Sequence, residues 1–232
     1  DNTSFYAAQA NDSAALCAGA FDAAARATAA AGGYFAISPL PKLRVLSLNT
    51  VLYSIDATLP SPPPDDPLGQ FAWLDSQLTA AAAGGESAIL VAHIPPIVDS
   101  FTRKSMWRKA YATKYWALLR EHAAVVSAQL FGHSHYDEFR VWARTGDGAD
   151  VLASPPLLQL AAVSPIYGNN PTVYELVLDD ESLRLIGVRA HYAALGGSGS
   201  TPPSPLRFEP EYAAPPTDSA LTNGAYARLA RS

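Results

Sequence analysis

The apolar and polar positions of this chain follow two different periods, which predict helices and strands in turn. Apolar residues that recur every three to four positions are typical of amphipathic helices. Glycines mark the ends of the first two such segments, at Gly32 and Gly84. The helices predicted in this way cover residues 13–31, 69–84 and 105–121. The third carries a stripe of aromatic residues, which favours core packing over a binding platform.

Shorter apolar runs between these helices predict β-strands. A mostly apolar run of about six residues fits a strand that is buried on both faces. The strands predicted from such runs cover residues 34–37, 42–49, 87–92, 125–131, 138–142, 157–163, 172–178 and 183–188. The last two flank a polar turn at residues 179–182 and therefore predict a hairpin.

Composition along the chain predicts three parts. Residues 1–192 carry the periodic segments and form the predicted domain, with a loop at 56–67 that contains five prolines. Residues 193–205 are rich in glycine, serine and proline, which is typical of a linker. Residues 206–232 predict a short helical tail that packs back through a few apolar anchors. These anchors are Phe208, Tyr212, Leu221, Tyr226 and Leu229.

Composition and charge exclude several classes of protein. Hydrophobic residues make up 49% of the 232 positions and charged residues 16%, so a solvated disordered chain is excluded outside the tail. The formal charge is −5 and no block of Lys or Arg occurs, which argues against a nucleic-acid partner. A single cysteine, Cys17, rules out an internal disulfide. No apolar run approaches the roughly 18 to 20 residues that a transmembrane helix needs.

Candidate chemistry is concentrated at residues 131–138, where the sequence reads Phe-Gly-His-Ser-His-Tyr-Asp-Glu. His133 and His135 follow a predicted strand, and residues two apart on an extended backbone face the same side. Gly132 permits a sharp turn before them. Neutral imidazole is the most common metal-binding side chain. The pattern predicts a metal site, and the alternative interpretation is a pair of surface histidines in a turn.

A third histidine, His93, directly follows the predicted strand at 87–92. The carboxyl ends of buried strands are where α/β folds place their ligands. Pro95 and Pro96 restrict the loop that leaves this position. The alternative for a lone histidine here is a half-buried residue at the end of a strand. Taken together with His133 and His135, however, His93 favours the metal site.

Several of these stretches resemble the acid sphingomyelinase-like branch of the calcineurin-like metallophosphoesterases. The resemblance extends over roughly residues 30–190, and its pieces occur in the family's order. They are residues 33–35, 46–50, 69–74, 92–96, 129–139 and 164–171. His-Ile-Pro-Pro at 93–96, followed about 40 residues later by Gly-His-Ser-His at 132–135, is the most specific part of the match.

The resemblance implies an α/β fold of four layers, in which two mixed sheets pack face to face with helices outside them. It also implies two divalent metal ions, zinc in the sphingomyelinases, with His93 and His133 on one ion and His135 on the other. By the same resemblance, Tyr167 and Asn169 lie in a loop that faces the substrate. Two further residues have open roles, because each is either a group that orients the histidine rings or an ordinary surface carboxylate. They are Asp137 and Glu138.

The chain departs from the family in the first half of the site. The family motifs D-x-H, G-D-x-x-D and G-N-H-D/E do not occur ahead of His93. We therefore expect the metal-bridging Asp, the Asn ligand and the proton-donating histidine in an upstream part of the same domain, before Asp1. That part is also expected to carry one of the two sheets. A Gly-Asp-Gly-Ala-Asp stretch at residues 146–150 lies after His93 and is better explained as a hairpin turn.

These observations favour the carboxy-terminal part of a metal-dependent phosphoric ester hydrolase, most like a sphingomyelin phosphodiesterase. Its substrate would be a small-molecule phosphoester or a phospholipid, with nucleotides or polyphosphate as alternatives. The resemblance implies a secreted, periplasmic, lysosomal or vacuolar location. A catalytic zinc normally has three protein ligands and a water, so we expect these residues alone to bind metal weakly and hydrolyse little. A non-catalytic module and a domain with one structural zinc remain as alternatives.

Overall fold

The computed structural model describes residues 6–8, 21–140, 157–195 and 209–213. Besides a helical stretch at residues 6–8, this part of the chain contains α1 (Ala23–Gly32), α2 (Gln70–Gly84) and α3 (Lys109–Glu121). The strands are β1 (Phe35–Leu40), β2 (Leu43–Ser47), β3 (Ser87–Val91), β4 (Val126–Phe131), β5 (Glu138–Arg140), β6 (Leu157–Gln159), β7 (Thr172–Leu178), β8 (Leu185–Tyr192) and β9 (Glu209–Ala213). Short 3-10 helices occupy Thr50–Tyr53 and Pro67–Gly69.

The larger sheet has six strands in the order β1-β2-β3-β4-β6-β5. Strands β2, β3, β4 and β6 run parallel, whereas β1 and β5 are antiparallel edge strands. Strand β1 contains Pro39, which has no backbone N–H to donate. An edge strand tolerates this residue because no strand lies on one of its two sides. The parallel order places the carboxyl ends of β3 and β4 side by side. The segments that carry the three histidines therefore leave the sheet at the same edge.

The smaller sheet contains β7, β8 and β9 in antiparallel order. Apolar residues from both sheets form one buried cluster, to which the larger sheet contributes Ile89 and Leu130 and the smaller sheet contributes Leu185 and Val188. The two sheets therefore pack face to face, as the resemblance implies. Both sheets form within this chain, so the expectation that the upstream part carries one of them is wrong.

The opposite face of the larger sheet packs against helices α2 and α3. This second cluster includes Leu74 and Leu78 of α2, Tyr115 of α3, and Leu46 and Leu90 of the sheet. The result is a mixed α/β structure in which helices, one sheet and a second sheet form successive layers. Among the described residues, the apolar clusters place no helix on the outer face of the smaller sheet. The fourth layer thus remains a prediction.

The observed starts of α1 and α3 depend on contacts that periodicity does not show. Helix α1 begins after Asp22, whose carboxylate accepts a hydrogen bond from the Ala25 backbone N–H at 2.8 Å. The proposed start at residue 13 lies outside the described residues. Helix α3 begins at Lys109, because Ser105 and Trp107 instead form β-bridges with neighbouring segments.

The described part of the tail is a strand and not a helix. Strand β9 pairs antiparallel with β8, so the helical prediction is wrong for residues 209–213. The rest of the tail lies outside the described residues, as do the stretch at 146–150 and most of the linker. The hairpin predicted across residues 179–182 is confirmed as β7 and β8.

Candidate metal centre

The backbone around His93 is fixed by hydrogen bonds from three separate elements. The Ile94 backbone N–H donates to the Thr50 hydroxyl oxygen at 2.9 Å. The indole Nε1–H of Trp107 donates to the Ile94 carbonyl, also at 2.9 Å. On the other side, the Gly132 N–H donates to the His93 carbonyl at 3.0 Å. His93 therefore leaves strand β3 on a backbone that has little freedom to move.

The Gly-His-Ser-His motif forms a loop directly after β4. His133 and His135 both have positive φ angles, of 87° and 67°, a backbone region that residues other than glycine rarely adopt. The two imidazoles are therefore not placed by strand alternation, and the expectation of an extended backbone was wrong. The Ser134 hydroxyl between them accepts hydrogen bonds from the Gln159 side chain and from the Tyr136 N–H, which holds the loop in this shape.

Two of the three histidine rings are in contact. His93 Nε2 and His133 Nδ1 lie 3.3 Å apart, and the rings are almost perpendicular with centroids 5.2 Å apart. Zinc binds imidazole nitrogens at about 2.0 to 2.1 Å in tetrahedral geometry, which separates two such ligands by about 3.3 Å. The spacing therefore suits two ligands of one ion, and it also suits a hydrogen bond between two neutral rings.

The electrostatic environment favours neutral imidazole at this position. Burial, followed by the nearby charges of His133 and His135, lowers the pKa of His93. A depressed pKa keeps the ring nitrogens free of an extra proton near neutral pH, which metal binding requires. This property fits a metal ligand.

His135 is half-buried, and its described ring contact is with Tyr167 and not with either of these two rings. Its ring packs against Tyr167 with centroids 4.9 Å apart, and its Nδ1 atom is buried without a hydrogen-bond partner. A buried unpaired nitrogen is unusual, and a bound ion or water would satisfy it. In the described part of the chain, no three His, Cys, Asp or Glu side chains converge as a metal-binding group. The spacing of His93 and His133 thus fits two ligands of one ion, and His135 offers a further unpaired ring nitrogen.

The two carboxylates that follow the motif differ in their surroundings. Glu138 accepts hydrogen bonds from the Ser100 hydroxyl at 2.9 Å and from the Arg140 guanidinium, and none of its described bonds goes to a histidine. It therefore fastens residues 98–105 to β5. Asp137 is exposed, and its role remains as open as the sequence left it.

The loop at 164–171 places its two candidate residues in different positions. Tyr167 is 61% exposed and lies against the His135 ring. Asn169 is only 9% exposed, and its amide donates to the carbonyls of Ala162 and Ser164 at 3.2 and 3.0 Å. Tyr167 thus faces the centre, whereas the described contacts of Asn169 hold the loop in shape.

Sequence reasoning missed the residues that support the centre through their own hydrogen bonds. Gln70, which is fully buried, accepts from the Asn49 N–H at 2.7 Å and donates to the Asn49 carbonyl at 3.1 Å. This explains why two stretches of the family resemblance, at 46–50 and 69–74, lie together. For Gln70 and Thr50, the sequence offered one signal, which is a polar residue directly beside an apolar run. For Trp107, the sequence offered no signal beyond its place in the aromatic stripe.

No family model matches this chain. "Sphingomyelinase phosphodiesterase D" of Dictyostelium discoideum is 33% identical over 161 residues, which cover 69% of this chain and 37% of that protein. Human "Sphingomyelin phosphodiesterase" is 34% identical over 111 residues, or 48% of this chain and 16% of that protein. Bovine "Cyclic GMP-AMP phosphodiesterase SMPDL3A" is 29% identical over 171 residues, or 71% of this chain and 37% of that protein.

A search of solved structures matches a dimetal phosphatase from Danio rerio, with a TM-score of 0.36 and 15% identity. That match covers 68% of this chain and 54% of the phosphatase chain. The chain spans less than two fifths of the length of each curated relative named above. No described helix is both long and apolar enough to cross a bilayer. By its sequence matches, this chain is related to the sphingomyelin phosphodiesterases and the acid sphingomyelinase-like phosphodiesterases.

Proposed function

We propose that this chain is part of a metal-dependent phosphoric diester hydrolase. In this proposal, His93 and His133 bind one divalent ion and His135 binds a second, and both ions are zinc. The observation that carries the proposal is the 3.3 Å separation of His93 Nε2 and His133 Nδ1, because it matches two nitrogen ligands of a single tetrahedral ion. The unpaired buried nitrogen of His135 supports a separate position for the second ion.

A pair of divalent ions supplies an activated water and neutralises charge on a phosphoryl group under attack. The protein residues hold the geometry for this reaction. Thr50 and Trp107 fix the backbone beside His93, so that its ring stays opposed to His133. Tyr167 covers one side of His135 and shields that ring from solvent. Such positioning matters because a displacement of about 1 Å at a reacting centre costs about a hundredfold in rate.

Three histidines are too few ligands for two catalytic ions, each of which normally takes three protein ligands and a water. We propose that the remaining ligands and the proton donor come from an upstream part of the same domain.

The substrate that we propose is a phospholipid of the sphingomyelin type. Matches to proteins named as sphingomyelin phosphodiesterases support this substrate. A second candidate, a nucleotide phosphodiester, is supported by matches to proteins named as cyclic GMP-AMP phosphodiesterases. We further propose that the protein is secreted or resides in the lumen of a lysosome-like compartment.

The test is His135→Ala in the full-length protein, assayed with the soluble chromogenic diester bis-p-nitrophenyl phosphate. Loss of a direct metal ligand should lower kcat/KM by at least about a hundredfold, with unchanged circular dichroism. His122→Ala is the matched control, because His122 lies at the end of α3 and pairs with Asp75 at 2.7 Å. It should retain activity. If His135→Ala keeps most of its activity, the ligand assignment is refuted.

Metal analysis of the purified full-length protein separates this proposal from the alternatives. Two ions per chain support the two-metal hydrolase. One ion that resists chelation and accompanies no hydrolysis would support a structural zinc domain. No bound metal together with no hydrolysis would support a non-catalytic module.

A further inference from the structure

Residues 98–105 form an exposed hairpin beside the histidine loop. Val98 and Ser105 pair across its base, and the Asp99 carboxylate accepts hydrogen bonds from the Phe101 and Thr102 N–H groups at 2.8 and 2.6 Å. These bonds tighten the turn and present Phe101 outward, where its side chain is 71% exposed. A large aromatic residue held in solvent by a well-formed turn calls for an explanation.

A second exposed loop, at residues 163–168, contacts the histidine loop through Tyr167. Its Gly168 N–H donates to the Pro165 carbonyl at 2.9 Å, which closes a turn that leaves Ile166 70% exposed. Val163 and Tyr167 on the same loop are also exposed. Among the described residues, the four most exposed large hydrophobic side chains all belong to this loop or to the hairpin.

Tyr136, within the histidine loop, joins the two segments. Its ring packs against Phe101 with centroids 5.4 Å apart, and its hydroxyl donates to the Tyr167 carbonyl at 3.0 Å. Tyr136 thus links the exposed hairpin and the exposed loop next to the histidines. We call the apolar side chains of these segments the apolar rim, and it consists of Val98, Phe101, Tyr136, Val163, Ile166 and Tyr167.

The hairpin combines its apolar tip with positive charge. Arg103 and Lys104 are exposed next to Phe101, whereas the one acidic residue of the hairpin, Asp99, has its carboxylate engaged by backbone N–H groups. Basic residues beside a protruding aromatic side chain are the combination that binds anionic lipid surfaces. We propose that the apolar rim docks the protein on an anionic lipid surface, so that lipid head groups reach the histidines.

This proposal rests on the proposed function, since it names where the substrate is presented. A lipid surface fits better than a nucleobase, because a base needs only one aromatic face for stacking. The apolar rim instead carries Val98, Val163 and Ile166 on two separate segments. A single nucleobase stacked on one ring would leave these aliphatic side chains exposed to water. An extended apolar surface, in contrast, would cover both loops together.

The experiment measures sedimentation of the full-length protein with vesicles of phosphatidylcholine and phosphatidylglycerol, which requires no catalysis. Phe101→Ser should weaken vesicle partitioning about tenfold, because one large side chain no longer enters the interface. Lys104→Glu should weaken it about fivefold and only at low salt. The matched control is Leu40→Ser, because Leu40 is also exposed but lies at the end of β1 away from the histidines. This variant should partition like the wild-type protein.

The outcomes separate the docking proposal from the proposed function. Vesicle binding without hydrolysis of any diester supports docking and contradicts the hydrolase. Hydrolysis of bis-p-nitrophenyl phosphate without vesicle binding overturns docking and leaves the hydrolase intact. Docking is also overturned if Phe101→Ser and Leu40→Ser partition equally. A rise in KM for a nucleotide diester in Phe101→Ser, without vesicle binding, would replace the lipid surface with a nucleobase.

Discussion

Asn169 was expected from the family resemblance to face the substrate, but its described contacts are with the protein backbone. Its side chain is buried, and its amide group donates to the backbone carbonyls of Ala162 and Ser164. Side-chain type suggested a polar contact here, but sequence alone does not reveal which partner a polar group faces. The same limit applies to Glu138, whose described partners are Ser100 and Arg140 and not a histidine ring.

We predict that Asn169→Asp destabilises the protein. The new carboxylate would face two carbonyl oxygens and lose both donated hydrogen bonds, which should lower the free energy of unfolding by about 2 to 3 kcal/mol. Chemical denaturation of the full-length protein measures this change. The control is Asn170→Asp, because Asn170 accepts a hydrogen bond from the Leu195 N–H through its side-chain oxygen, an interaction that a carboxylate retains. Equal stability of the two variants would contradict this role for Asn169.

At the scale of elements, apolar runs predicted the buried strands well because burial on both faces leaves a continuous signal. Strands β3 and β4 match their predictions to within a residue or two. The helix period failed at residues 105–108, where a β-bridge and the hydrogen bond of Trp107 override local propensity. Similarly, the tail strand β9 depends on its pairing with β8, a tertiary contact that local pattern does not contain.

The histidine motif was located from the sequence, but its geometry was not. Glycine followed by two histidines predicted convergence through an extended backbone. In the structure, His133 and His135 both adopt positive φ, and the Ser134 side chain bonds to Gln159 and to the Tyr136 backbone. Such conformations arise where surrounding contacts outweigh a local cost of about 1 to 3 kcal/mol. The contact with Gln159 comes from β6, which is distant in sequence, so the local pattern gave no sign of it.

We predict that Trp107→Phe weakens the attachment of the His93 segment. The substitution keeps an aromatic ring but leaves the buried Ile94 carbonyl without its donor, which should cost about 1 to 3 kcal/mol of unfolding free energy. The matched control is Trp73→Phe, whose ring can still pack against Tyr34, and it should cost less. The check is denaturant unfolding of both variants. If the two substitutions cost the same, the hydrogen bond to Ile94 does not hold this segment.

At the scale of the whole molecule, two sheets packed face to face support the candidate centre. The apolar cluster between them is reinforced at one end by Arg184, whose guanidinium donates to the carbonyls of Ala124 and Val126 at 2.8 and 3.3 Å. These contacts join the β7–β8 hairpin to the start of β4, the strand that leads into the histidine loop. Only the family resemblance predicted this architecture, because alternating helices and strands do not specify how a second sheet packs.

We predict that the inter-sheet cluster contributes substantially to stability. Leu185→Ala removes a fully buried side chain from this cluster and should lower the free energy of unfolding by about 2 to 4 kcal/mol. Leu40→Ala, at an exposed position, should change it by less than about 0.5 kcal/mol. Thermal and denaturant unfolding of the full-length variants measure both. A small effect of Leu185→Ala would mean that the two sheets do not share a tightly packed core.

The central claim is that three histidines from the ends of β3 and β4 hold two metal ions. Anomalous diffraction from crystals of the full-length protein, recorded at the zinc edge, tests it most directly. We expect one peak at about 2.0 to 2.2 Å from both His93 Nε2 and His133 Nδ1, and a second peak at a ring nitrogen of His135. Metal peaks that lie away from these three rings would contradict the account.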